Sequence, residues 1–370
     1  MMSFLTHRAF TDHSLMNKQY VFNTVFKTLT VGLLSIASVG GARAQTGKPA
    51  QELNIYSARH YQTDELLYSG FTKATGIKIN RIEASDNALI ERLKSEGAKS
   101  PADVILLVDA ARLWRAEKDG MFQPFQSASI DARIPQNLRA KAEGGNTWVG
   151  YSTRARVIVY NKARVNSEDV DTYEKLADPA NKGKVCTRSG SHPYMLSLVG
   201  AMIDRSGEAA TEAWAKGMVA NQARAPRGGD TDQIKAVAAG ECGVALTNSY
   251  YFVRMMRSTK PEDQALMAKV GFLWPNQATS GTHINIAGGG MAKNAPHPEA
   301  AKKFLEYLAT DGAQVYFADG NNEWPAVASV QIENPGLKQL GSFKAEDVSV
   351  AAMGRNQIAA QKILDRARFK

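Results

Sequence analysis

Between residues 53 and 118, short apolar runs alternate with stretches whose apolar positions recur every three or four residues. Residues 53–57 are β-prone. Leu66, Leu67 and Phe71 mark one face of a helix over 64–73, which Gly76 ends. Residues 77–82 alternate apolar and polar, as a half-buried strand does. Leu89, Ile90 and Leu93 line a helix over 87–96, and the apolar run 103–108 suits a strand buried on both faces. A helix over 110–118 completes a βαβαβα series, which predicts a parallel sheet with helices packed on it.

A second series follows the polar stretch 126–147. It comprises a strand over 156–160, the short strand KVCTR, helices over 194–204, 208–220 and 231–239, and the strand CGVALTN. Residues 269–274 and 284–287 read as further strands. Pro298 opens an amphipathic helix with Ala301, Phe304, Leu305 and Leu308 on its buried face, and proline suits a first helical turn. A last helix covers about 346–366. The late strands must return to one of the two series, which predicts an α/β protein of two doubly wound lobes joined by a hinge, with a ligand cleft between them. The expected lobes are discontinuous: 45–149 with 271–325, and 150–270 with 326–370. The 370 residues exceed what one core usually covers, in keeping with two domains. No internal repeat or low-complexity tract is present.

The N-terminus changes the picture of where the chain works. Lys18 and Lys27 precede an apolar run over 29–39, followed by Gly40-Gly41 and Ala42-Arg43-Ala44. A basic segment, a short apolar run and a small-x-small site form a secretory signal, expected to be cleaved after Ala44. The run falls short of the ~20 apolar residues that span a bilayer. Met16 is an alternative start. The mature protein is expected to be soluble, periplasmic and monomeric.

Composition excludes two further classes. With 44% hydrophobic and 22% charged residues the chain is neither disordered nor membrane-embedded throughout. The net charge of +9 includes Arg8, Lys18, Lys27 and Arg43 against Asp12; without residues 1–44 it is 41 basic less 35 acidic, or +6. The charges alternate, as in Arg92, Lys94 and Glu96, without the aromatic-interleaved basic stripe of a nucleic-acid binder. A mild positive bias could instead serve an anionic ligand or partner. The two cysteines, Cys186 and Cys242, each open an expected strand. Export permits a disulfide between them; two unrelated buried thiols are the alternative.

Ligands of open α/β sheets sit beyond the carboxyl ends of the strands. Three expected strand ends deliver tyrosine there: Arg59-His60-Tyr61, Ser191-His192-Pro193-Tyr194 and Ser249-Tyr250-Tyr251, although the whole chain has twelve tyrosines. Phenolate is a hard anionic donor with a pKa near 10 as the free phenol, so clustered phenols suit a cation able to displace their protons. Fe(III) has that hardness and charge. Zinc or copper would favour imidazole and thiolate, yet no H-x-x-x-H or C-x-x-C occurs. Arg59, Arg188 and Arg254 are placed to offset phenolate charge or to hold an anion. A single tyrosine at a strand end is more often core or rim packing, and Tyr56, Tyr151 and Tyr160 read that way. His60 reads equally as a satisfied polar residue or a ligand, and His192 as a rim residue.

These segments carry a resemblance. LNIYSARHY, VDAARLWRAEKDG, CTRSGSHPYMLSL, ECGVALTNSYYF and the late GTHINIAGGGMAKNAPHPEAAKKFLEYL are similar to the periplasmic ferric-iron-binding proteins, the solute receptors of iron ABC importers. The likeness spans nearly the whole mature chain, with SARHY and NSYYF its specific motifs. It implies a periplasmic-binding-protein fold, iron held by Tyr61, Tyr194, Tyr250 and Tyr251, and His60 as a ligand in some members. It also implies an arginine at Arg254 that approaches the site when the iron state changes, an inner-membrane permease as partner, and in some members a carbonate-like anion beside the metal.

Two other classes compete. The same fold could take an anion such as phosphonate or sulfate, thiamine or a polyamine. The strand-end motifs are poor in the acidic residues a polyamine needs, and an anion site has no use for Tyr250-Tyr251. An exported enzyme is the other. No nucleophile elbow, phosphate loop or dinucleotide fingerprint is present, and Gly288-Gly289-Gly290 lacks the spacing of the last.

Overall fold

The structure, a computed structural model, describes residues 51–59, 63–347 and 349–370. The expected export signal over 1–44, with Met16, lies outside them. Among the described residues are ten strands: β1 (Glu52–Ser57), β2 (Lys78–Glu83), β3 (Val104–Leu107), β4 (Arg139–Ala142), β5 (Gly145–Asn161), β6 (Val185–Cys186), β7 (Val244–Asn248), β8 (Val270–Leu273), β9 (Ile284–Met291) and β10 (Trp324–Pro325). Their order is β2-β1-β3-β9-β5-β7-β6, with β4, β8 and β10 also paired to β5.

β1 runs parallel to β2 and β3, as the βαβαβα order predicts. β9 and β5 enter antiparallel, so the sheet is mixed. Periodicity along the chain carries no information on the direction in which a distant segment returns. β5 is also longer than the strand expected over 156–160. Residues Val149 to Ala155 pair with β9, and Arg156 to Tyr160 pair with β7. One continuous strand thus belongs to both halves of the sheet.

Each half has its own core, giving a two-lobed α/β architecture. Leu53, Ile55, Ile105 and Leu107 of the first half pack with Phe71, Leu89, Phe304 and Leu305 from its helices. In the second half the period of two sorts strand residues between two faces. Ile158, Val185, Val244 and Leu246 meet Met195, Leu198 and Trp214 on one face, while Val159, Cys186 and Ala245 meet Ile234, Val237 and Phe252 on the other. Helices therefore cover both faces of this half-sheet.

Several helices differ from their expected bounds for identifiable reasons. The helices expected over 194–204 and 208–220 form Pro193–Ala220, interrupted at Gly207 with φ 78° and ψ 166°, a conformation that favours glycine. The expected last helix is two, Val350–Arg355 and Gln357–Arg366. Val350 and Met353 join the first core, whereas Ala360, Ile363 and Leu364 join the second. The Gly288–Gly290 run lies inside β9 rather than after a strand. A Cβ on Gly288 or Gly290 would meet the Val149 or Thr147 carbonyl oxygen of β5 at 2.3 and 2.2 Å. Among the described residues no helix is long and apolar enough to cross a membrane.

Cys186 and Cys242 are joined in a disulfide with Cα atoms 5.8 Å apart. Cys186 ends β6, and Cys242 precedes β7 instead of opening it. Their sulfurs meet on the face that the helix Asp230–Ala239 covers. Replacing both by serine is expected to lower stability by about 2–4 kcal/mol. Urea unfolding checks this, and an unchanged midpoint contradicts it.

Candidate functional site

β6 and β7 are parallel neighbours, so their carboxyl ends open side by side. From β6 the chain passes Arg188 to His192, which caps the helix Pro193–Ala220: its Nδ1 accepts the Tyr194 backbone N–H at 3.2 Å. Tyr194 thereby sits in the first turn. From β7 the chain enters the helix Ser249–Met256 at once, which puts Tyr250 and Tyr251 in its first turn. The Tyr194 and Tyr250 hydroxyls are 2.9 Å apart and share a hydrogen bond in which either can donate. The Tyr250 and Tyr251 rings lie with centroids 4.2 Å apart and tilted by 32°. Tyr250 is 2% exposed, while Tyr194 and Tyr251 are half-buried.

A guanidinium faces each of these rings. Arg188 and Arg156 stand 5.0 and 6.0 Å from the Tyr194 centroid, Arg154 5.7 Å from Tyr250, and Arg254 4.9 Å from Tyr251. Arg156 and Arg188 share the buried carboxylate of Asp230 at 2.8 and 3.2 Å. The exposed Arg254 donates to the Thr231 hydroxyl at 3.1 Å. His192 also lies in this positive field. Burial first, then Arg188, Arg156 and Arg112, push its pKa down to about 3, so the imidazole is neutral and can accept the capping hydrogen bond.

Arg59 belongs to a second cluster at the end of β1. It pairs with Asp64 at 2.9 Å and lies 3.7 Å from Glu323, whose other oxygen is 2.5 Å from Arg154. Arg154 also donates to the Val108 and Ile286 carbonyls at 2.6 and 2.9 Å. His60 and Tyr61 lie outside the described residues. The chain on both sides of them is held: Arg59 through its ion pairs, and Thr63 by a 2.6 Å hydrogen bond to Asn321, which itself donates to Asp64. The structure thus brings Tyr194, Tyr250, Tyr251, Arg188 and Arg254 together, and sets Arg59 in a separate ionic cluster that Arg154 links to Tyr250.

The sequence analysis did not single out Arg154, Arg156, Asp230 or Glu323. Arg154 and Arg156 left a signal: two charges at alternate positions just before the apolar run Val157–Val159, hence on one face of the strand. Tyr56 and Tyr151 are buried, as expected of core tyrosines, and Tyr160 is half-buried beside the core.

Chemically, the tyrosine pair can act as a chelate. A small hard ion with octahedral bonds of about 2.0 Å places adjacent oxygen donors about 2.8 Å apart, close to the 2.9 Å between the two hydroxyls. Among the described residues no group of three or more His, Cys, Asp or Glu could hold a metal.

Comparison with known proteins gives the family. Residues 67–345 match the family described as bacterial extracellular solute-binding protein. The chain is 46% identical over 347 residues to iron uptake protein A1 of Synechocystis, covering 93% of this chain and 95% of the relative. It is 27% identical over 329 residues to the Fe(3+)-binding periplasmic protein of Serratia marcescens, covering 89% and 94%. Among solved structures, the Trichodesmium IdiA/FutA protein in complex with iron and citrate ligands superposes with a TM-score of 0.81 at 51% identity, covering 86% of this chain and 100% of that one.

Proposed function

We propose, from the premise that the chain belongs to the bacterial extracellular solute-binding protein family, that it is a periplasmic receptor which binds ferric iron and delivers it to the permease of an ABC importer. The observation that carries this reading is the 2.9 Å pair of Tyr194 and Tyr250 hydroxyls with the Tyr251 ring against it. Family membership supplies the solute-binding role, and the donor chemistry supplies the solute.

In this reading Fe(III) enters as cargo. Its charge displaces the hydroxyl protons of Tyr194, Tyr250 and Tyr251. Tyr61, with His60 beside it, adds donors from the end of β1. One half of the sheet with its helices then closes on the other by a hinge at β5. A small oxyanion such as carbonate takes a coordination position left over by the protein donors. Closure offers the permease a surface that the open form lacks, and reduction to the softer Fe(II) weakens phenolate binding and favours release. Export by a cleaved signal over 1–44 puts the receptor in the periplasm. No turnover is expected.

Mixing the purified mature protein with ferric citrate is expected to give an orange-red solution, since phenolate–Fe(III) bonds absorb visible light by charge transfer. Iron at about 100 times Kd should also stabilise the fold by about 2.7 kcal/mol. A colourless mixture with an unshifted melting temperature contradicts the ferric assignment and leaves family membership standing.

A further inference from the structure

We propose that Asp230 is the positioning residue of the tyrosine site, a single buried charge that holds both tyrosine-bearing segments and keeps two guanidiniums from competing with the metal for the phenolates. The proposal rests on the ferric reading above and deepens it.

Asp230 is fully buried at the start of the helix Asp230–Ala239. One of its oxygens accepts Arg156 Nη1 at 2.8 Å and the Asn248 backbone N–H at 2.7 Å, and the other accepts Arg188 Nη1 at 3.2 Å. Asn248 is the last residue of β7, two before Tyr250. Arg188 stands 5.0 Å from the Tyr194 ring centroid, closer than Arg156. Arg156 reaches both sides, donating to the Asn248 side chain at 3.1 Å while facing Tyr194 at 6.0 Å. One carboxylate thus fixes where each phenol-bearing segment starts, and so sets the 2.9 Å spacing of Tyr194 and Tyr250.

The charge count explains why an anion is needed at this point. Arg156 is 2% exposed, and its Nε and Nη2 have no hydrogen-bond partner among the described residues. An arginine so deeply buried needs a nearby negative charge. Without Asp230 the closest candidates are the phenolates themselves. A phenolate drawn into an ion pair with a guanidinium is a weaker metal donor and a displaced one. Asp230 therefore supports iron binding without touching iron.

Asp230→Asn isolates the charge, because the amide keeps the shape and an oxygen for the Asn248 N–H. With ferric nitrilotriacetate as the iron source, the variant is expected to bind iron about 10- to 100-fold more weakly than the native protein, the range for lost outer-shell partners. Its charge-transfer band should shift as the phenolates turn toward arginine. Adding Arg188→Gln removes one uncompensated cation, so the double variant should regain at least about a third of the lost affinity on a logarithmic scale, in the spirit of a double-mutant cycle. A purely structural Asp230 predicts the reverse, since a second contact is lost. Native affinity in Asp230→Asn, or a double variant weaker than the single, overturns the proposal. If Asp230→Asn loses its cooperative melting transition, the double variant decides: recovery of transition and band supports the role of the charge, and no recovery overturns it. A native protein that binds no iron overturns the ferric reading instead.

Discussion

Tyr250→Phe is expected to lower ferric-iron affinity by at least about a hundredfold, because loss of an outer-shell partner alone costs 10- to 100-fold and this change removes a proposed donor. The hydroxyl is one half of the 2.9 Å pair with Tyr194, so a single atom deletion removes one arm of that proposed chelate. The ring stays, and with it the contact to Tyr251 and the Arg154 guanidinium. Stability should fall by only about 1 kcal/mol, the net worth of one hydrogen bond. Titration against nitrilotriacetate reads the affinity, and urea unfolding reads the fold. A variant that keeps native affinity and colour would remove Tyr250 from the donor set. Tyr160→Phe, outside the cluster, is the control and should leave the colour unchanged.

The second large effect is on the fold. Glu323 is fully buried between Arg154 and Arg59 and accepts the Ser152 hydroxyl. Glu323→Ala removes the carboxylate that lies between the buried Arg154 and Arg59 guanidiniums. Breaking a buried pair from one side costs about 3–5 kcal/mol, since the surviving charge stays in a medium that solvates it poorly. Urea unfolding at neutral pH is the measurement, and a loss below about 1 kcal/mol would show that water or another group satisfies the arginines. The pH dependence has a definite sign. Burial alone pushes the Glu323 carboxyl up, but the Arg154 and Arg59 charges, with hydrogen bonds from Ser152 and Arg154, more than offset it and hold the group below the usual carboxylate range. A depressed carboxylate contributes stability that is present above its unfolded pKa of about 4.3 and lost as pH falls through the folded value. The native protein should therefore lose more stability than Glu323→Ala on acidification below about pH 4.

Much of this molecule is legible in its sequence, for reasons that also mark where legibility ends. Helices such as Ala110–Lys118 and Pro298–Leu308 carry their buried faces in local spacing; the first has its expected bounds and the second its expected start. Strand ends with tyrosine are equally local features: Tyr250-Tyr251 follow β7 directly, and Tyr194 follows β6 after the short segment 187–192. What escaped is non-local. The antiparallel return of β9 depends on a partner over a hundred residues away in sequence. The role of Asp230 depends on Arg156 and Arg188, 74 and 42 residues earlier. A lone acid after Gly228-Gly229 reads as an ordinary helix start until its neighbours are known. The two arginines of β5 were the available hint, since apolar strands seldom carry charge without partners.

β5 has a consequence of its own. A single hydrogen-bonded ribbon passes from one half of the sheet to the other at Ala155–Arg156, so it can neither stretch nor slide there without breaking pairs to β9 or β7. Rotation about its long axis is the motion that keeps both ladders intact. Arg154 and Arg156 straddle that axis point, the first anchored by Glu323 and the second by Asp230. Any change of angle between the halves therefore turns one guanidinium past the other and shifts Arg154 relative to the Tyr250 ring. The angle of the ribbon and the electrostatic surroundings of the phenol are one mechanical variable.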